Sequence, residues 1–470
     1  MLKLNIEKIL EITEGKLIQG DRNTFFAGVS TDSRSIREGN IFIALKGANF
    51  DGHDFVRDVL AKGAKGAIVE KNIEIGENHS FCIIQVSNTL DALRKLASYH
   101  RCKFNLPIIA ITGSNGKTTV KEMISHITSP FMSVLKTPFN YNNQIGLAFT
   151  LLELDNYHEL AVFEIGISQP GEMEVLRDMV KPDVAVFTNI GMSHLEFLKS
   201  PFGVLKEKLR LVSNFNKNNT VVFNADDCLL RENLLKNKGN FSLLSFGIEN
   251  PADFRGESLF CSEEGIRFKV KGVDFFLPLI GIHNIYNALA AIAVGSLYDI
   301  SLEDMAFHLK NFLSPKMRMN ILRIRDNNLP SQKEFILIDD TYNANPNSVA
   351  SAIEALSYFR TEGRKVLVIA DMLELGDYAL ECHRKIGLLL NNKNIDILLT
   401  KGRYAEEISK TVLTAGKIKI VQHFNSNKEI IEFLEDNLRD GDVLLVKGSR
   451  GMHMEEIIQG IKEKEKIITS

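Results

Sequence analysis

Cysteine is scarce in this chain. Cys82, Cys102, Cys228, Cys261 and Cys382 are odd in number, widely scattered and without a CxxC pair, which excludes a disulfide framework and a structural zinc site and fits a reducing, cytoplasmic setting. Charge of one sign is also lacking. Lys plus Arg number 56 against 59 Asp plus Glu, a net charge of -3, so no nucleic-acid or anionic-membrane partner is expected from bulk electrostatics, and any phosphate site must be local. No apolar run has the length of a membrane span, and residues 1–16 interleave apolar positions with Glu7, Lys8, Glu11 and Glu14. Neither membrane insertion nor an export signal is therefore expected. Fixed-period repeats and low-complexity tracts are absent too, which leaves solenoids and disordered arms unsupported.

What is present is an ordinary globular composition, 44% hydrophobic and 24% charged, in 470 residues. That length predicts about three folding units. Residues 1–105 read as a small α/β domain with short strands at 40–45 and 66–69 and an amphipathic helix at 89–99. Residues 106–313 read as a central parallel-sheet domain. Its continuous apolar runs at 108–112, 160–165, 184–189, 220–224 and 243–247 are spaced for crossover helices. Alternation between 251 and 280 predicts an antiparallel meander appended to that sheet, followed by a helix at 284–298. Residues 314–470 read as a doubly wound, Rossmann-like domain with strands at 335–339, 365–370, 395–400 and 443–447.

The sharpest local feature is Ile108-Ile109-Ala110-Ile111-Thr112-Gly113-Ser114-Asn115-Gly116-Lys117-Thr118-Thr119, a buried strand entering a glycine turn and then a helix. Glycines let backbone N–H groups turn onto phosphate oxygens, the helix N-terminus adds its positive dipole end, Lys117 can reach the outer phosphates, and the Thr118 hydroxyl is offered to Mg²⁺. The position six before Lys117 is Ile111 and not glycine, so the loop is shorter than the usual P-loop. The bland alternative is an ordinary tight βα turn, and against it the strand before and the helix after supply the context that the phosphate motif requires.

Three more polar groups stand at or just after strand ends, the edge where open α/β sheets place ligands. Glu164 ends the run 160–163, His194 follows the run 184–187, and Lys206 lies in the charged helical stretch 205–210. A rim carboxylate can hold Mg²⁺ and a neutral imidazole can bind a second divalent ion. Taken singly, a solvated strand end, a surface histidine and a solvated helix face are the commoner readings, and the residues alone do not choose.

Together these residues resemble the Mur ligase family, ATP-dependent amide ligases of peptidoglycan precursor synthesis, over essentially the whole chain. The resemblance implies an ATP site built from Gly113, Ser114, Asn115, Gly116, Lys117, Thr118 and Thr119, with Asn284 and Asn287 on the adenine, Arg318 on the γ-phosphate and Asp340 on the ribose. It implies two Mg²⁺ ions, held by Thr118 and Glu164 and by His194 with a carbamylated Lys206, and it makes Lys117, Lys206, His194 and Arg318 the catalytic set. Lys208 stands where an acidic residue is expected two positions after Lys206. In residues 1–105 the stretches 30–34 and 45–53, with Ser33, Arg34 and Lys46, resemble loops that bind a UDP-sugar. Asn142 and Asn143 resemble a loop facing the muramoyl substrate.

Within the family, the stretch 338–346, including Asn345, and the stretches 370–376 and 446–452 resemble the member that adds D-alanyl-D-alanine to UDP-N-acetylmuramoyl-tripeptide. The implied reaction forms an acyl phosphate by γ-phosphoryl transfer, which the dipeptide amine then attacks. The implied enzyme is cytoplasmic and monomeric, and its partners are these small substrates. Two rivals stand beside this reading: a folylpolyglutamate synthetase, against which residues 1–100 argue, and a nucleotide-regulated binding protein, against which the presence of Lys117, Glu164, His194 and Lys206 argues.

Overall fold

The computed structural model describes residues 4–47, 49–75, 80–237, 239–326, 333–464 and 466–468. Residues 1–3 of the N-terminal stretch and Ala48 in the 45–53 loop lie outside them. The chain is α/β throughout, as expected, and divides into two compact units. One comprises Met1–Ala110, Phe131–Gly166 and Glu172–Val184, the other Ile111–Pro130, Ile167–Gly171 and Ala185–Ser470. The strands Ile108–Thr112 and Val184–Phe187 supply residues to both.

The first unit contains a five-stranded sheet in the order Lys16–Gln19, Cys82–Gln85, Gly66–Val69, Asn40–Ile43 and Gly28–Ser30. All pairs are parallel except the edge pair of Lys16–Gln19 with Cys82–Gln85. Phe42, Val56, Val59, Val69, Phe81 and Ile83 make an apolar cluster on it. The helix Thr89–Arg101 starts where Asn88 accepts the Asp91 N–H at 2.7 Å, and it runs two residues beyond the amphipathic stretch read above. In the same unit Val134–Lys136 pairs in parallel with Leu160–Glu164.

In the second unit Val184–Phe187, Thr220–Asn224, Ser242–Gly247 and Phe254–Arg255 are successive neighbours in a sheet. The meander expected as an appendage of that sheet is a sheet of its own, Glu257–Cys261, Ile266–Val270 and Val273–Leu277, paired antiparallel. The reason is local. Only Phe254–Arg255 continues the parallel ladder, and beyond it Ile266, Phe268, Val270, Phe275 and Leu277 turn their apolar face inward as a separate layer, with Phe268 stacked on Phe275 at 5.3 Å. The helices Lys117–Thr128 and His283–Gly295 approach closely, and a Cβ on Gly295 would lie 3.0 Å from Ile127 and 2.5 Å from the Met305 sulfur.

The last part of this unit is a seven-stranded sheet in the order Ile420–Phe424, Ile397–Lys401, Lys365–Ala370, Val443–Lys447, Lys333–Asp340, Asn320–Asp326 and Lys466–Ile468. The first five strands are parallel, and Asn320–Asp326 runs antiparallel to both of its neighbours, Lys333–Asp340 and Lys466–Ile468. Val443–Lys447 therefore sits between strands that precede it by many residues, which brings the carboxyl ends of three strands to one switch point. Phe335, Leu337, Val368, Leu399, Leu444 and Val446 lie in its core. At the opposite end Asp442, buried, accepts from Arg364 Nη2 at 2.6 Å, Arg364 Nε at 3.2 Å, Arg364 N at 2.8 Å and Arg439 N at 2.8 Å. Removing that carboxylate strands a guanidinium, so Asp442→Ala is expected to destabilise this sheet by about 3–5 kcal/mol. Urea unfolding of the full chain checks this, and an unchanged midpoint refutes it.

Candidate functional site

The strand Ile108–Thr112 is buried along its length, and its last residue leads directly into the phosphate loop. Gly113 has φ 149, and a Cβ there would lie 1.9 Å from Thr188 Oγ1. Gly116 has φ 83, and a Cβ there would lie 2.3 Å from Asn287 Oδ1. Glycine is thus required twice over, for the backbone region and for the closeness of the neighbours. The segment 188–193 underpins the loop. Ser114 N donates to Asn189 O at 2.9 Å, Asn115 N donates to Asn189 Oδ1 at 3.0 Å, Thr188 Oγ1 donates to Asn115 O at 2.6 Å, and Gly191 N donates to Ser114 Oγ at 2.8 Å. Asp227 holds that segment in turn by accepting from Ile190 N at 2.5 Å, and burial raises its carboxyl above the usual range despite those N–H contacts. The helix Lys117–Thr128 then begins without a side-chain cap, an N-terminus suited to an anion. Lys117 Nζ lies folded onto the loop, donating to Gly113 O at 2.8 Å and Ser114 O at 3.4 Å.

Two residues of the last sheet's neighbourhood reach this loop, and a third reaches the segment beneath it. Arg318, between Met317 and Met319 at φ 62 and 52, donates from Nη2 to Thr118 Oγ1 at 2.9 Å, and its guanidinium lies 4.1 Å over the Tyr342 ring. Asn345 exchanges two bonds with Asn115, donating Nδ2 to Oδ1 at 2.7 Å and accepting the Asn115 amide at 3.2 Å. It also caps the helix Pro346–Tyr358, accepting from Ser348 N at 2.9 Å. Its side chain, expected on substrate, is thus committed to the loop and the cap. Asn347 Oδ1 accepts from Met192 N at 3.2 Å.

Asn284 and Asn287 lie one helical turn apart, as their spacing implies. Asn287 Nδ2 donates to Asn284 Oδ1 at 3.0 Å, and Asn284 Nδ2 donates to Ile280 O at 2.8 Å. Thr119 is buried in the helix after the loop. Asp340 is paired with Lys447 Nζ at 2.6 Å across the switch point and accepts from Met319 N at 3.3 Å. Asp339 accepts from Thr341 Oγ1 at 2.7 Å, and burial raises its carboxyl. Lys447 lies in the stretch 446–452, whose sequence gives it no role of its own, and its register opposite Asp340 reveals it.

Lys206 departs from its expected place. It is exposed on the helix Pro201–Leu209, whereas Lys208 is buried. Positions two apart on a helix face roughly opposite ways, so Lys206 and Lys208 do not share an environment. Burial pushes the Lys208 amine well below the usual lysine range, the positive charge of Lys117 pushes it further, and Glu207 opposes this. His194, at φ 54, has Nδ1 2.6 Å from Glu374 Oε2. Nδ1 makes no hydrogen bond there, yet the imidazole so close by holds the Glu374 carboxyl below its usual range against the effect of burial.

The first unit holds the other candidates. Glu164 is buried; Oε1 accepts from Asn142 Nδ2 at 2.9 Å, while Oε2 is buried with no hydrogen-bond partner. An orphaned buried carboxylate oxygen fits a divalent cation. Asn142 is therefore spent on Glu164, and Asn143 caps the helix Gln144–Leu152 by accepting from Gly146 N at 2.9 Å. Ser33 O accepts from Lys62 Nζ at 2.7 Å, Arg34 is exposed and paired with Asp32 at 2.9 Å, and Lys46 is exposed. Among the described residues no three His, Cys, Asp or Glu side chains cluster as a ready metal cage.

Residues 111–295, 318–450 and 26–101 match three family models, described as the Mur ligase middle domain, the Mur ligase glutamate ligase domain and the Mur ligase family catalytic domain. The UDP-N-acetylmuramoyl-tripeptide--D-alanyl-D-alanine ligase of Bacillus subtilis (strain 168) is 35% identical over 467 residues, covering 98% of this chain and 99% of its own. The enzyme of that name from Escherichia coli (strain K12) is 33% identical over 473 residues, with 98% and 99% covered. A crystal structure of MurF from Acinetobacter baumannii superposes with a TM-score of 0.88 at 30% identity, covering 99% of this chain and 100% of that one. The Thermotoga maritima MurF ligase in complex with ADP gives 0.81 at 28% identity, with 93% and 97% covered.

Substituting Gly116→Ala places a methyl group against Asn287 in a backbone region that costs an L-residue about 1–2 kcal/mol. ADP affinity, measured by calorimetry, is expected to fall about tenfold or more with the circular dichroism spectrum unchanged. Wild-type affinity would refute the assigned loop geometry.

Proposed function

Because this chain belongs to the Mur ligase family, we propose that it joins D-alanyl-D-alanine to UDP-N-acetylmuramoyl-tripeptide with hydrolysis of ATP to ADP and phosphate. One observation carries the ATP chemistry: Lys117 and Arg318 come from distant parts of the chain to a single glycine loop, Arg318 through its bond to the Thr118 hydroxyl. The acceptor and dipeptide are those named in its full-length relatives.

An amide does not form from a carboxylate in water without activation. The acceptor carboxylate oxygen attacks the γ-phosphorus, the bond to the bridging oxygen of ADP breaks, and an acyl phosphate results. The dipeptide amine attacks the acyl carbon, loses a proton, and inorganic phosphate leaves. Lys117 and the planar fork of Arg318 match the charge spread over the phosphoryl oxygens, and the amides at the start of Lys117–Thr128 cradle the neighbouring phosphates. Asn287 beside Gly116, with Asn284 bonded to it, is assigned to the adenine, and Asp340 with Lys447 at the switch point to the ribose. The stretches with Ser33, Arg34 and Lys46 are assigned to the UDP moiety. Water competes with the carboxylate for the γ-phosphorus and with the amine for the acyl phosphate, so the domains 1–105, 106–313 and 314–470 are assigned one substrate each and close around them.

Mg²⁺ suits two places. Glu164 offers its orphaned oxygen, and Thr118 a hydroxyl at the phosphate loop. His194 is assigned to a second ion. Held there, such ions would supply positive charge to offset that on the phosphoryl group. Carbamylation is assigned to Lys208 in place of Lys206: a neutral amine adds CO₂ and releases a proton, giving a carboxylate-like ligand, and burial beside Lys117 favours the neutral amine. Among the described residues no helix is long and apolar enough to cross a membrane. A cytoplasmic monomer acting in peptidoglycan precursor synthesis is the proposed setting.

Phosphate release from ATP with Mg²⁺ should require both the tripeptide and D-alanyl-D-alanine, and the product mass should rise by one dipeptide less water. No product, from protein that binds ADP, refutes the ligase assignment. Lys208→Ala is expected to lose about 10- to 100-fold in rate and Lys206→Ala about twofold at most; the reverse order refutes Lys208 as the carbamate site.

A further inference from the structure

Between the strand Val134–Lys136 and the helix Gln144–Leu152 the chain makes a loop with a fixed base and an apolar tip. Thr137 N donates to Val162 O at 3.0 Å, and Thr137 Oγ1 accepts from Glu164 N at 2.9 Å, which ties the entry of the loop to the strand that ends in Glu164. At the exit Asn142 N donates to Asn140 O at 2.7 Å, Asn142 O accepts from Gly166 N at 3.0 Å, and Gln144 Oε1 accepts from Arg94 Nη1 at 2.8 Å. A Cβ on Gly146 would lie 2.6 Å from Tyr141 Cα, so the start of the helix is seated directly against the loop.

Two rings stand out from this base. Phe139 is 81% exposed and Tyr141 48%, with their centroids 6.4 Å apart and the ring planes tilted by 55°. Phe139 also has φ 45, a backbone region uncommon for a bulky L-residue. A large apolar ring held in water on a strained backbone is unfavourable for the protein alone, and outliers of this kind gather at ligand contacts. Residues 137–146 carry no charged side chain. They offer ring faces and amides, and the ring faces suit an alkyl chain. Asn142, which donates to Glu164 Oε1, follows Phe139 by three residues, within about 10 Å along the chain.

We propose that Phe139 and Tyr141 form a shelf for the aliphatic side chain of the acceptor residue whose carboxylate is activated, and that Phe139 sets a preference for a long side chain there. This rests on the proposed function. The ion assigned to Glu164 serves phosphoryl transfer to that carboxylate, so the residue bearing it is the part of the acceptor brought to this loop, ahead of the sugar and the UDP.

The test titrates the full chain calorimetrically, with ADP and Mg²⁺ present, with UDP-N-acetylmuramoyl-tripeptides ending in L-lysine, in meso-diaminopimelate and in L-alanine. Wild-type protein should bind the tighter of the two long forms about tenfold better than the alanine form. Phe139→Gly, which suits the positive φ, should bring them within about twofold, chiefly by weakening the long form. Phe139→Asn, which also tolerates that backbone, is the second variant and should match it, while Phe139→Tyr keeps a ring and should keep the preference. The urea midpoint of Phe139→Gly should equal or exceed that of wild type, whereas a ring with a structural role would lower it. A preference that survives both Phe139→Gly and Phe139→Asn overturns the proposal, and so does equal weakening of all three acceptors, which would place the ring on a part they share. Wild-type protein that binds every form equally sinks the shelf alone; wild-type protein that binds none sinks the acceptor assignment with it.

Discussion

Positive charge gathered at one loop is the constraint on which the rest of this structure depends. Lys117 lies on the loop carbonyls, Arg318 reaches the Thr118 hydroxyl, and Lys208 is buried close enough to Lys117 for the two charges to oppose each other. Like charges in a poorly screened place repel strongly. The fold answers with neutral acceptors, with the Tyr342 ring beneath the guanidinium, and with a buried amine pushed toward its neutral form. The same arrangement that is awkward for the protein alone suits a polyphosphate.

Holding that loop rigid falls to polar side chains more than to the apolar core. Asn189 and Thr188 satisfy the loop from below, Asp227 holds their segment, and the reciprocal amides of Asn115 and Asn345 tie the loop to a helix N-cap. Buried amides and carboxylates of this kind are costly if unmet, so each partner restricts the positions of the others. Gly113 and Gly116 complete the arrangement because any side chain there would strike Thr188 or Asn287.

The parts legible in the sequence were those with a one-dimensional signature. Buried parallel strands show as continuous apolar runs, and Ile108–Thr112, Thr220–Asn224, Lys365–Ala370 and Val443–Lys447 came out at the expected residues. Strands at the sheet margins, such as Asn320–Asp326 and Ile420–Phe424, are half exposed or interleaved with charge and gave no such run. The choice between Lys206 and Lys208 depends on helix phase, which a charged stretch does not display. Asn142, Asn143 and Asn345 are substrate contacts only by what the resemblance implies, and in the fold they also brace Glu164, cap a helix and pair with Asn115.

By itself the sequence determined the class of the fold, the phosphate loop and the identities of the ionisable residues around it, because these depend on local pattern: apolar runs, glycine spacing and the chemistry of each side chain. Tertiary structure alone decided which of those residues meet. Lys447 faces Asp340, Glu374 faces His194, and Lys208 rather than Lys206 turns inward. Each depends on register, helix phase or a left-handed turn, and a shift of one residue flips a strand side chain to the other face and swings a helical one by about 100°.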